Sequence, residues 1–222
     1  MARYLLVVLL LGASLRPVAV AQETGDVPDG FVPLFNGEDL TGWVVMGSDM
    51  WEVNDGIIHC TAEGRGWLRS EKEYGDLVLR AEYRIYPKGN SGIWVHAPLR
   101  GRASSIGMEC QILDDHGRPP RKGGSGSFYN VMAPAKNMAK PAGEWNQVEI
   151  AWIGDMVSAV LNGQKLWEVD LMDEELNASL PDDRKASKRQ RRGYIGLSKH
   201  TGPVDFRNIY IKDLDEQGGA EG

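Results

Sequence analysis

The run Asp76-Leu77-Val78-Leu79-Arg80-Ala81-Glu82-Tyr83-Arg84-Ile85-Tyr86 decides the fold class. Leu77, Leu79, Ala81, Tyr83 and Ile85 fall on one side of an extended chain, and Val78, Arg80, Glu82, Arg84 and Tyr86 on the other. Successive Cβ atoms of a strand point to opposite faces, so this period of two describes a long strand with one buried and one polar side. A half-polar strand of that length belongs to a large antiparallel sheet whose second side meets solvent or a ligand.

Outward from this run the texture repeats. Strand-length segments alternate with Gly, Asn, Asp and Pro turns: Trp51–Val53, Gly56–Thr61, Gly66–Ser70, Gly92–Ala97, Gly107–Leu113, Ser127–Met132, Glu144–Ile153, Met156–Leu161, Gln164–Val169, Gly193–Ser198 and Val204–Leu214. Asn54-Asp55-Gly56 and Leu161-Asn162-Gly163-Gln164 read as hairpin turns, because Asp-Gly and Asn-Gly supply the positive φ that two-residue loops need. About twelve strands are too many for one open sheet, so two packed antiparallel sheets are expected, an all-β sandwich. Only Asp173–Leu176 reads as a helical turn.

The first residues read as an export leader. Arg3 gives a positive start, Tyr4 to Ala13 is nearly all apolar, and Ala19-Val20-Ala21 is a small-x-small cleavage site. The apolar stretch is about half the length needed to span a bilayer. Cleavage after Ala21 is expected, which predicts a secreted or periplasmic protein. It leaves a polar lead-in to residue 30, one domain over 31–214 and a flexible tail over 215–222. The 222-residue chain carries a net charge of −6, and losing Arg3 and Arg16 makes it two units more negative. That balance argues against nucleic acid and anionic membranes as partners. The basic segment Arg184 to Arg192 lacks interleaved aromatics and reads as a solvated loop. Cys60 and Cys110 both lie in expected strands; a disulfide and two buried thiols are equally compatible with the sequence.

Two runs concentrate chemistry. In Glu109-Cys110-Gln111-Ile112-Leu113-Asp114-Asp115-His116, Glu109 and Gln111 share a face, while Cys110 and Ile112 point to the core. Glu109 is suited to act as base or acid, and Gln111 to bind hydroxyls. Regular geometry puts Asp114 on the opposite face, roughly 17 Å from Glu109 at about 3.4 Å per residue. In Gly89-Asn90-Ser91-Gly92-Ile93-Trp94-Val95-His96, Trp94 and His96 share a face. Imidazole titrates near neutrality, so His96 is expected as a catalytic base or proton donor, with His200 as a second candidate. Trp67, Trp94 and Tyr129 are placed to line a groove, Lys140 to rim it, and Arg84 to hold hydroxyls. Asp114, Asp115 and His116 offer cation ligands or, equally, a polar turn. Whether a divalent metal takes part is left open.

Several further blocks recur in order: Pro33-Leu34-Phe35-Asn36-Gly37-Glu38-Asp39-Leu40-Thr41-Gly42-Trp43, Gly66-Trp67-Leu68, Tyr74-Gly75-Asp76, Lys140-Pro141-Ala142-Gly143-Glu144-Trp145-Asn146, Leu161-Asn162-Gly163 and Phe206-Arg207-Asn208-Ile209. With the two runs above they make the chain resemble the 3-keto-disaccharide hydrolase domain family over residues 31 to 214. The resemblance implies a concanavalin A-like jelly roll and a sugar carrying a ketone at C3 as substrate. It also implies elimination after proton abstraction at C2, then hydration, and a sugar oxidoreductase acting upstream. The run at Glu109 also resembles the Glu-x-Asp-x-x-Glu strand of laminarinase-like glucanases, but Gln111 replaces the middle carboxylate, which counts against an ordinary retaining glycosidase. The competing reading from another class is a carbohydrate-binding, lectin-like module of the same fold.

Overall fold

A computed structural model describes residues 27–61 and 66–218. One sheet runs in the order β11 (Gln164–Asp170), β10 (Met156–Leu161), β9 (Trp145–Ile153), β6 (Leu77–Ile85), β13 (Val204–Asp213), β4 (Ile57–Cys60) and β3 (Trp51–Asn54), with β1 (Val32–Pro33) joining β13. The smaller sheet runs β2 (Trp43–Gly47), β5 (Gly66–Tyr74), β12 (Gly193–Thr201), β7 (Asn90–Ala97) and β8 (Met108–Leu113). Every pairing is antiparallel. The fold is the all-β sandwich expected from the alternating pattern, in the jelly-roll form that the family resemblance implies.

The core lies between the sheets. From β6 it takes Leu77, Leu79, Ala81, Tyr83 and Ile85, all buried, as the alternation requires. From the smaller sheet it takes Leu68, Ile93, Val95, Met108, Cys110, Ile112, Ile195 and Leu197, in one cluster with the first set. Each fully buried Leu- or Ile-sized side chain contributes about 1.5–3 kcal/mol relative to exposure. Both expected hairpins are present. Asp55 and Gly56 have φ of 50° and 72°, and Asn162 and Gly163 have φ of 50° and 79°, so both central residues are left-handed, as type I′ turns demand.

Some local readings change. Ser127–Met132 is not a strand. Phe128 makes isolated bridges to Cys110 and Met132, and the chain folds back on itself with Met132 N donating to Phe128 O at 3.0 Å. The helical turn near Asp173 forms as α2 (Glu174–Ser179), the Asp173 side chain accepting from Leu176 N at 2.7 Å. A short helix α1 (Ala103–Ile106) was not evident from periodicity, being too brief to show a helical repeat. The expected tail begins as α3 (Leu214–Gly218), anchored where Asp215 accepts from Asp76 N at 3.2 Å and meets Arg192. The expected leader lies outside the described residues. Cys60 and Cys110 sit in different sheets as free, buried thiols, and burial pushes both up to about 12.

His96 is a correction with a clear cause. Between Tyr194↔Ala97 and Gly196↔Trp94 the pairing of β12 with β7 shifts by one residue, so Val95 and His96 together oppose Ile195. This is a β-bulge, and His96 takes the left-handed conformation within it (φ 53°). The extra residue breaks the period of two and turns the imidazole away from the face that carries Trp94. The ring is buried 4.1 Å from the Trp152 ring, with Nε2 2.9 Å from Gly75 O and Nδ1 3.2 Å from Gln190 O.

Burial holds the His96 pKa below its ordinary 6.5, so the folded state takes up this proton less readily than the unfolded chain. The stability that His96 contributes is therefore complete above about pH 6.5 and is lost as pH falls through the lower folded value. Urea denaturation at pH 7.5 and pH 5 should show this loss, and His96→Asn, which tolerates the left-handed backbone, should flatten it.

Candidate functional site

The outward face of the smaller sheet builds the site. Cys110 and Ile112 anchor β8 in the core, so Glu109 and Gln111 face outward. Register sets Glu109 opposite Trp94 and Gln111 opposite Gly92 on β7. A Cβ on Gly92 would lie 2.5 Å from Glu109 Oε1 and 2.9 Å from its Cγ. The glycine therefore lets the Glu109 side chain lie down over the neighbouring strand. There the Glu109 side chain is only 4% exposed, and the His200 imidazole faces it, with Nε2 3.4 Å from Oε1. The His200 side chain is 48% exposed and opens the pair to solvent.

Around this pair lies a cavity of about 390 Å³ lined by Asn90, Trp94, Gln111, Tyr129 and the Gly101–Ser104 turn, along with Glu109 and His200. Gln111 Nε2 donates to Asn90 Oδ1 at 3.2 Å, while its Oε1 and the indole Nε1 of Trp94 are buried with no partner. A buried polar atom without a partner is costly, and both atoms are supplied by residues that line the cavity. Tyr129 is placed by its backbone, N donating to Glu109 O at 2.9 Å. Beside the cavity the rings of Trp67 and Trp94 lie 5.0 Å apart at 55°. Gly196 makes room beneath them, since a Cβ there would meet Trp67 Cε3 at 2.7 Å and Trp94 Cε3 at 3.1 Å.

The α1 wall is held from behind by Arg189. This part of the basic segment is not solvated: Arg189 is 3% exposed. Its Nη1 donates to Ser104 O at 2.6 Å and Gly107 O at 2.7 Å, Nη2 donates to Arg184 O at 3.1 Å, and the guanidinium sits 5.3 Å over the Phe128 ring. Carbonyls at the end of a helix lack intrahelical donors, and Arg189 supplies them. Burial, with Arg184 nearby, pulls its pKa down to about 10, which still leaves it charged at neutral pH.

Other expected site residues are elsewhere. Arg84 lies on the outer face of the larger sheet, its Nε donating to Asp205 at 2.9 Å and its guanidinium over the Trp145 ring. Lys140 is tied by Nζ to Trp145 O at 2.8 Å, near the start of β9. Asp114 accepts from Lys88 N at 2.8 Å, Asp115 is buried and accepts from Ser125 N at 3.2 Å, and His116 Nδ1 lies 2.7 Å from Ala139 O. Each of the three side chains is engaged with a backbone group of its own. Among the described residues no group of three or more His, Cys, Asp or Glu side chains is arranged to hold a metal ion. Asn90 and Arg102 line the cavity but were not read as site residues. The signal available for Arg102 was the Gly-punctuated run Arg100-Gly101-Arg102 directly after the Trp94 strand, a loop at a strand end.

A model of the 3-keto-alpha-glucoside-1,2-lyase-like domain matches residues 30–212. The chain belongs to that family. It is 26% identical to a 3-keto-disaccharide hydrolase of Bacteroides thetaiotaomicron, with 84% of this chain and 79% of the relative covered. It superposes on a proposed glycosyl hydrolase of Parabacteroides distasonis with a TM-score of 0.75 at 26% identity, covering 84% of this chain and 95% of the other. A Bacillus subtilis protein with a galectin-like fold gives a TM-score of 0.55 at 14% identity over 82% of this chain and 94% of the other, which is a likeness of fold alone.

Two substitutions test how this member of the lyase-like family builds its site. Gly92→Ala should keep the fold at a cost of about 1–3 kcal/mol and force Glu109 out of its present rotamer, as a crystal structure of the variant would read directly. Arg189→Met should lower the unfolding free energy by about 2–4 kcal/mol, because Ser104 O and Gly107 O lose charged donors inside the protein. Chemical denaturation measures it.

Proposed function

We propose that the protein cleaves glycosides that carry a ketone at C3 of the sugar, with Glu109 as the general base and His200 as the proton carrier. The observation that carries this reading is a carboxylate buried at a cavity floor whose ion-pair contact among the described residues is one half-exposed imidazole. The hydrolase named among its relatives supports the same chemistry.

The ketone acidifies the hydrogen at C2. Glu109 takes that proton, and the C2–H electrons form an enolate with the C3 oxygen. The enolate then expels the glycosidic oxygen at C1, leaving a C1–C2 double bond conjugated to the ketone. Imidazolium at His200 donates the proton that the leaving oxygen needs, and water adds across the double bond. A positioned base or acid of this kind contributes about 10²–10⁴ in rate. Gln111 and Trp94 line the cavity, and the Trp67–Trp94 pair offers an apolar face for a sugar ring.

An ordinary glycosidase needs two carboxyl groups about 5–9.5 Å apart across the scissile bond. Among the described cavity-lining residues Glu109 is the carboxylate, and Asp114 is engaged with the Lys88 backbone. This supports elimination over direct displacement. The apolar leader supports action outside the cytoplasm, and the substrate chemistry requires a sugar oxidoreductase upstream to supply the ketone.

The test is a time course with a 3-keto-glucoside beside the unoxidised sugar, with and without a chelator. Turnover of the keto sugar alone is expected, and Glu109→Gln should lower kcat about 10²–10⁴-fold while sugar binding persists. Binding without turnover in the wild type would overturn the enzyme reading in favour of a lectin-like module. Equal cleavage of the unoxidised sugar would favour an ordinary glycosidase. Loss of activity with chelator would assign a divalent cation a part in the reaction.

A further inference from the structure

Away from the cavity many cations pair with carboxylates: Lys72 with Asp213 and Glu216, Arg80 with Glu149, Arg84 with Asp205, Lys188 with Asp182, Arg191 with Asp155, Arg192 with Asp215 and Arg207 with Glu82. At the cavity mouth Arg102 stands apart from these pairs. Arg102 lines the cavity, is exposed, and has no carboxylate partner among the described residues, and Arg100 before it is likewise exposed and unpaired.

A second group of cations lies near another lining residue. Arg121 Nη1 and the ring carbon Cε2 of Tyr129, a cavity-lining residue, lie 3.4 Å and 3.7 Å from the position a Cβ on Gly123 would take. The guanidinium of Arg121 therefore flanks that wall, and its carboxylate contact is Asp115 at 3.8 Å. Lys122 and Arg118 on the same loop are exposed and unpaired among the described residues. Unpaired charges of one sign at a cleft mouth concentrate ligands of the opposite sign.

We propose that the cavity selects glycosides bearing an anionic oxygen group, a carboxylate or sulfate, and that Arg102 is the residue that meets it. The planar guanidinium suits either group, since both present paired oxygens to its fork of N–H donors. The proposal rests on reading the cavity as a sugar site, and it names the substrate class: an acidic rather than a neutral saccharide.

The test reads binding, so it stands apart from turnover. Tryptophan fluorescence of the full chain is titrated with a disaccharide containing glucuronic acid, its sulfated neutral analogue and its all-neutral counterpart, at low and high NaCl. Expected is about tenfold tighter binding of one or both anionic sugars over the neutral one at low salt, shrinking as salt rises. Which of them binds tighter tells carboxylate from sulfate. Arg102→Gln should abolish the preference. Equal binding of acidic and neutral sugars would overturn the proposal while leaving keto-glycoside cleavage to stand or fall on its own assay. A preference that survives Arg102→Gln but disappears in Arg121→Gln would overturn the assignment of Arg102, and failure to bind any of the three sugars would overturn the proposal.

Discussion

The smaller sheet has to do two jobs with one strand register. Cys110 and Ile112 must enter the core, and only in that register do Glu109 and Gln111 face the cavity. A slip of one residue would bury a carboxylate between the sheets and expose the apolar pair. The hydrophobic effect across the sandwich thus positions the chemistry on its outer surface. Pairing with β7 then carries the constraint sideways, setting Trp94 and Gly92 beside the two polar residues.

Small residues convert that register into a cavity. Gly92 leaves space for the carboxylate, and Gly196 leaves space for two indole rings. A side chain at either position would fill the floor with its own atoms. The walls come from segments outside the regular ladder, α1 on one side and the Phe128–Tyr129 turn on the other. Arg189 touches both, through carbonyls of the first and the ring of Phe128. A charge so deeply buried, with no carboxylate in ion-pair contact among the described residues, is expensive, and it is held by donating to backbone groups that would otherwise lack partners.

Polar clusters of similar composition have different standing in this molecule. On the outer face of the larger sheet Asp205 is buried and engaged by His59, Arg84 and Tyr86. Every strong group there already has a partner, so the cluster reads as a fastening between β4, β6 and β13. In the cavity, by contrast, Gln111 Oε1 and Trp94 Nε1 have no hydrogen-bond partner and Arg102 no carboxylate partner among the described residues.

What the sequence determined by itself is what depends on neighbouring residues. The alternation in Asp76–Tyr86, the Asp-Gly and Asn-Gly turns and the shared face of Glu109 and Gln111 follow from strand geometry over a few residues. The order of motifs marked the family. The tertiary structure decided what depends on strand order and on exceptions to the period of two. His200 reaches Glu109 because β12 lies beside β7 in the sheet, next to the β7–β8 pair, although the two residues are far apart in the chain. Arg84 and Lys140 have the right chemistry on segments that the topology places elsewhere. The bulge at Val95–His96 leaves no mark in composition, yet one inserted residue moves an imidazole from the cavity side to the core. Local periodicity tells which residues share a face, whereas long-range pairing decides which faces meet.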